Sequence, residues 1–122
     1  MREIKFRFFR TKAKEMVYGF KHCSLTYVLD LWEEEKHVSE PMQFTGLTTK
    51  NGQEIYEGDI VLLDFGVFGP VYYDEAETSY VIHIKPTGPG LESNYEILGL
   101  ANPESVIGNI FENPELVKGL EV

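Results

Sequence analysis

A chain of 122 residues has the size of one domain and can bury roughly two-thirds of its unfolded surface, so neither a metal nor a disulfide staple is required. Its single cysteine, Cys23, cannot form an intramolecular bridge, which suits a reducing compartment. Twenty acidic against 11 basic residues leave a formal net charge of −9, which opposes a sequence-independent grip on nucleic acid.

Eight Phe, seven Tyr and one Trp against three Met predict a mainly β chain, since aromatic and β-branched residues suit pleated surfaces. The opening, MREIKFRFFR, is basic but is not followed by the apolar run of a secretory signal, and no stretch is long and apolar enough to span a bilayer. Residues 2–9 alternate, with Ile4, Phe6 and Phe8 on one side and Lys5 and Arg7 on the other, as in a half-buried strand. Phe9 breaks the polar face. The TKAKE segment then turns the chain, and Met16 to Phe20 resumes an extended pattern, predicting a first hairpin with Gly19 as a bulge.

Leu25 to Trp32 alternates again and predicts a third strand, closed by the charged run Glu33 to Lys36; Leu25, Val28, Leu29 and Trp32 also fit a helix, but the Thr, Tyr and Val content favours the strand. The polar segment Lys36 to Pro41 is the candidate linker, and a seam between two β subdomains would fall there. In FTGLTTKNGQEIYEGDIV, residues 44–61, Asn51-Gly52 predicts a tight turn and Glu57-Gly58-Asp59 a corner. Ile60 to Phe65 follows as a strand covered on both faces. Gly66, Gly69 and Pro70 read as a loop. Val71 to Tyr73 and Tyr80 to Ile84 form a hairpin around DEAETS, with Tyr80, Ile82 and Ile84 sharing a face. PTGPG, residues 86–90, is a loop tip. Two short strands, Tyr95 to Leu100 and Val106 to Phe111, precede one turn of helix with Asn113 as cap, Pro114 at its first position and Gly119 at its end.

Few residues suggest chemistry. Glu57 and Asp59 are the only tempting carboxylate pair, and a hydrolase would need them to converge on one substrate in a cleft. Gly58 between them instead implies a turn whose acids are solvated and bond local amides. His22-Cys23 has zinc-type ligands, but one Cys and the scattered His22, His37 and His83 do not make the four-ligand spacing of a structural site. Adjacent on a strand, His22 and Cys23 would also point apart, which opposes a nucleophilic pair. His83, between Ile82 and Ile84, is assigned to a solvent face. No phosphate-cradling glycine motif is present. The strip Lys5 to Arg10 interleaves bases with phenylalanines, as base-stacking platforms do, yet core phenylalanines alternating with solvated bases explain the same letters. No catalytic, metal or cofactor-binding residue is assigned.

MREIKFRFF, the block MQFTGLTTKNGQEIYEGDIV from Met42 and VIGNIFENPEL from Val106 together resemble the YopX family of small phage and prophage proteins of Gram-positive bacteria. The resemblance implies a small barrel-like antiparallel β domain over residues 1–122, a bacterial host cytoplasm as setting, no cofactor and no established activity. Its motifs fall on Gly46, Asn51, Gly52, Tyr56, Gly58, Asp59, Gly108, Asn109 and Pro114, positions that the residues themselves assign mostly to turns, strand starts and a cap.

The functional expectation is therefore a non-enzymatic phage or prophage accessory protein that uses β surface and exposed strand edges to bind a host or phage protein, or its own copies as a homo-oligomer. The alternatives are a nucleic-acid-related module and a carboxylate hydrolase. The module would act through the basic N-terminal strand, or as an acidic mimic displaying Glu33 to Glu35 and Asp74 to Glu77. A functional surface is expected in residues 16–40 and 66–105, where the resemblance thins out.

Overall fold

The computed structural model describes residues 4–18, 37–84 and 94–118. The expected strand Leu25 to Trp32, the Gly19 bulge, His22 and Cys23, the acid run Glu33 to Glu35, the loop tip at 86–90 and the helix terminator Gly119 lie outside the described residues. The fold is mainly β, with two antiparallel sheets, one of them a half-barrel.

In chain order the strands are β1 (Phe6–Arg10), β2 (Glu15–Tyr18), β3 (Met42–Thr48), β4 (Glu54–Tyr56), β5 (Asp59–Leu62), β6 (Phe68–Asp74), β7 (Ser79–Ile84), β8 (Asn94–Ile97) and β9 (Ser105–Asn109), with a short helix α1 (Leu98–Ala101) after β8. The first sheet has the order β2-β1-β3-β4 and the second β8-β7-β6-β5-β9. The chain passes from one sheet to the other at Glu57-Gly58, between β4 and β5. Residues 37–41 run beside β1, where the Ser39 N–H donates to the Phe9 carbonyl.

The N-terminal hairpin forms as expected, with Phe8 opposite Val17 and Phe9 opposite Met16. Its burial differs from a strand with one wet face. Arg7, Phe8 and Phe9 are buried in succession, so β1 is covered on both sides, while Ile4 is exposed. The placement of Arg7 among solvated bases is therefore corrected: an apolar Phe9 on its nominally polar face was the sign that neither face is wet.

Asn51-Gly52 does turn β3 into β4, with the Gly52 N–H donating to Thr49 O and Gly52 at φ 82°. The strand after the corner is shorter than expected. It ends at Leu62, and a 3-10 turn over Asp64–Gly66 replaces its last residues. Gly69-Pro70, read as loop, belong to β6, paired with Val61 and Ile60. Proline is tolerated in this inner strand because it lies just outside the β6–β7 ladder, which begins at Val71 opposite Ile82, so no ladder bond is asked of its nitrogen.

The hairpin around 75–78 forms, and Tyr80, Ile82 and the partly buried Ile84 face the core with Ile55, Val61, Leu63, Val71 and Leu98. Ile55 comes from the first sheet, so this core joins the two. The strand expected through Leu100 stops at Ile97, and α1 turns Leu98 inward while leaving Leu100 exposed. At the C-terminus Pro114–Val117 is a single 3-10 turn. Asn113 occupies the cap position but its side chain reaches back, accepting from the Asn109 N–H at 3.2 Å.

Candidate functional site

The corner Glu57-Gly58-Asp59 is tied to both sheets by its backbone. Glu57 N–H donates to Gln43 O in the first sheet, and Gly58 N–H donates to Val71 O in the second. Asp59 opens β5 with its carboxylate turned inward, where Oδ1 accepts from Arg7 Nη2 at 2.8 Å and Oδ2 accepts from the Tyr56 N–H at 2.8 Å. Arg7 also donates to Glu57 O and, through Nη1, to the Tyr18 hydroxyl. The Tyr56 ring lies 4.8 Å from its guanidinium carbon.

Arg7 is 2% exposed and Asp59 3%, so the pair is a buried ionic bridge from β1 to β5. Burial pushes the Asp59 carboxyl above the ordinary aspartate range, while Arg7 and the Tyr56 N–H pull it the other way. Glu57 is likewise raised by burial, opposed by the Gln43 N–H that donates to its Oε1. The solvated acids expected at this corner are thus corrected. Asp59 is buried between the two packed sheets and Glu57 is half-buried, while their bonding to backbone amides is as expected.

This geometry separates the two acids by role. Asp59 has each oxygen on a donor, and Glu57 braces β3, so they do not converge on a common point. A cleft of about 280 Å³ adjoins Asp59 and is lined by Arg7, Tyr18, Gln53, Glu54 and Tyr56. Its charges are internally compensated, since Glu54 pairs with Lys5.

The raised Glu57 value has a testable sign. A carboxyl whose folded value lies above its unfolded one contributes stability that is complete below the unfolded value and is lost as pH rises through the folded one. Glu57→Gln keeps an oxygen acceptor for Gln43 and carries no charge. Its melting temperature is expected to equal or exceed that of the parent at pH 7, with the gap closing as pH falls through the ordinary glutamate range. Thermal melts across pH 4 to 8 check this, and a variant that is less stable at pH 7 than at pH 4, relative to the parent, contradicts it.

The remaining candidates fall elsewhere. Lys5 pairs with Glu54, Arg7 with Asp59, and Arg10 with Glu15 at 2.8 Å, so these three bases of the strip Lys5 to Arg10 each have an acidic partner within the chain. His37 is exposed. Among the described residues no cluster of three or more His, Cys, Asp or Glu has metal-binding geometry.

His83 is corrected from solvent-facing to buried, at 2% exposure. The second face of the five-stranded sheet is covered over Ile60, Pro70 and Val81, and alternation along β7 carries His83 into the same layer. Its ring stacks on Tyr95, with centroids 4.6 Å apart and planes at 14°, and meets Tyr72 edge-on at 6.2 Å. Neither ring nitrogen has a hydrogen-bond partner among the described residues. The Tyr72 hydroxyl is pushed up to about 12 by burial and by its hydrogen bond with Tyr95. Sequence reading missed this cluster because Tyr72, His83 and Tyr95 lie on three strands, and only the registers of β6 on β7 and β7 on β8 bring them together.

Beside the cluster, a second cleft of about 300 Å³ is lined by Asp74, Glu77, Val81, Tyr95, Glu96 and Ile97. Tyr95 is 52% exposed and Ile97 37%, with Tyr73 and Leu100 also open to solvent. The outer edges of the second sheet are partly capped. Asn94 Oδ1 accepts from the Tyr95 N–H on β8, and on β9 Gln53 Oε1 accepts from Val106 and Asn113 Oδ1 from Asn109.

A family model described as YopX protein matches residues 5–118. Among solved structures, the crystal structure of protein EF1440 from Enterococcus faecalis is similar, at 27% sequence identity over 97% of this chain and 100% of that chain, with a TM-score of 0.48. No curated protein matches the sequence.

Proposed function

The chain belongs to the YopX family, and from that premise we propose that it is a non-enzymatic accessory protein of phage or prophage origin, acting in the host cytoplasm by binding other proteins. The observation that carries this reading is a division of labour in the fold. The carboxylates that resemble catalytic groups are engaged in joining the two sheets, whereas half-exposed aromatic and aliphatic side chains gather on β8 and α1 without a covering element among the described residues.

Contact is expected through side chains rather than strand addition, because Asn94, Gln53 and Asn113 occupy edge amides that a pairing strand would need. Self-association into a homo-oligomer is one form of the same activity. Direct binding of nucleic acid is the weaker reading, since Lys5, Arg7 and Arg10 already have acidic partners and only the exposed Lys12 and Lys14 of the described N-terminal bases would serve it. The acidic-mimic reading keeps a basis in the Asp74 to Glu77 turn, and it too predicts a protein partner, a basic one.

Light scattering of the purified chain at high micromolar concentration, paired with affinity recovery from infected cells, tests the proposal. The expected result is a species heavier than the monomer, or a co-recovered protein that binds again when both are purified. A strict monomer that recovers nothing defeats it.

A further inference from the structure

Resting on the reading of this chain as an interaction protein, we infer that the cleft between the 75–78 turn and β8 receives an arginine side chain from a basic segment of a protein partner. The floor of the cleft is apolar, formed by the buried Val81 and the half-exposed Ile97, which stand opposite each other on β7 and β8. Its wall is the Tyr95 ring. One face of that ring is taken by the parallel His83 imidazole, which fixes its orientation, and the residue is still 52% exposed. The Tyr72 ring also meets it at 6.3 Å in a T-shaped contact, so the half-exposed Tyr95 ring is held from two sides and can meet an incoming cation at little entropic cost.

The rim is acidic. Asp74 Oδ1 holds the turn through the N–H groups of Ala76 and Glu77, and Glu77 has no ion-pair partner among the described residues. These carboxylates do not converge tightly enough to hold a metal ion. Acids dispersed around an aromatic wall and an apolar floor complement a flat, delocalised, weakly hydrated cation that stacks and forks at once, which is guanidinium and not ammonium. The net charge of −9 attracts a basic protein at long range and disfavours a second copy of this chain at this acidic cleft, whatever other surface a homo-oligomer would use.

The test uses the intact chain labelled for amide NMR and two blocked peptides, Gly-Arg-Gly-Arg-Gly and the same sequence with citrulline, an uncharged isostere, in place of arginine. The arginine peptide is expected to shift the amides of Val81, Tyr95 and Ile97 in a saturable way, and the citrulline peptide to bind at least fivefold more weakly. Glu77→Gln, on an exposed turn and neutral for folding, is expected to weaken binding about threefold or more, and Tyr95→Ala fivefold or more with the remaining spectrum preserved. Equal binding of the two peptides, or shifts spread over the acidic surface and insensitive to both substitutions, overturns the site. If a partner protein recovered with the parent chain still binds the Glu77→Gln, Tyr95→Ala double variant at full strength, the cleft is excluded while the interaction reading stands.

Discussion

Arg7→Ala is expected to lower the unfolding free energy by about 3 to 5 kcal/mol, the usual cost of leaving one member of a buried ion pair alone. For a domain of this length that is a fall of about 10 to 25 °C in melting temperature. The reason lies in the position of the bridge. Arg7 on β1 and Asp59 on β5 join the two sheets next to the point where the chain crosses between them, and the guanidinium also donates to Glu57 O within the crossing itself. Truncation strands the Asp59 carboxylate at 3% exposure and removes the cation facing the Tyr56 ring.

A double-mutant cycle isolates the charge effect. Asp59→Asn still offers an oxygen to the Tyr56 N–H but leaves Arg7 without its counter-charge, so it too is expected to destabilise. The combination Arg7→Met with Asp59→Asn is expected to cost less than the sum of Arg7→Met and Asp59→Asn, by at least about 1 kcal/mol for residues in contact. Urea denaturation of the four proteins gives the coupling directly. Additive losses, or an Arg7→Ala loss under about 1 kcal/mol, would show that the bridge does not hold the sheets together.

The same pair marks where sequence reading stopped. Local rules located the turn at Asn51-Gly52, the corner at Glu57 to Asp59 and the hairpin of β6 with β7, because each depends on neighbours in the chain. Arg7 and Asp59 are 52 positions apart, and alternation assigned Arg7 to a wet face that a second layer in fact covers. His83 was misplaced for the same reason: period-two logic separates the faces of a strand but does not say that both are buried. Pro70 was read as loop because a proline inside a sheet is disfavoured, and it is acceptable here because the β6–β7 ladder begins only at Val71. The arginine cleft was legible in part. Its acids are the Asp74 to Glu77 run, but the Tyr95 wall depends on the pairing of β7 with β8.

On its other side β7 is met closely by β6, and this gives the second large effect, at Gly69. Adding a methyl group there would overlap the His83 carbonyl oxygen and bring Cβ to 2.7 Å from the His83 carbonyl carbon and 3.1 Å from Ile84 Cα. These are backbone atoms of a strand between two neighbours, so no rotamer change relieves the overlap and β6 and β7 must move apart. Gly69→Ala is therefore expected to cost more than about 3 kcal/mol or to abolish soluble expression. In urea this corresponds to a midpoint lowered by about 1 to 2 M. Gly52→Ala is the matched control: nothing lies within 4 Å of its added methyl group, and only the positive φ of 82° is penalised, so about 1 to 2 kcal/mol is expected. A Gly69→Ala midpoint no lower than that of Gly52→Ala would refute the close backbone approach. Where Gly69→Ala folds at all, His83 is displaced with β7, and the Tyr95 ring stacked upon it loses its support. Arginine-peptide binding should then fall together with stability, whereas Gly52→Ala, at the far turn between β3 and β4, should lose stability and keep the binding.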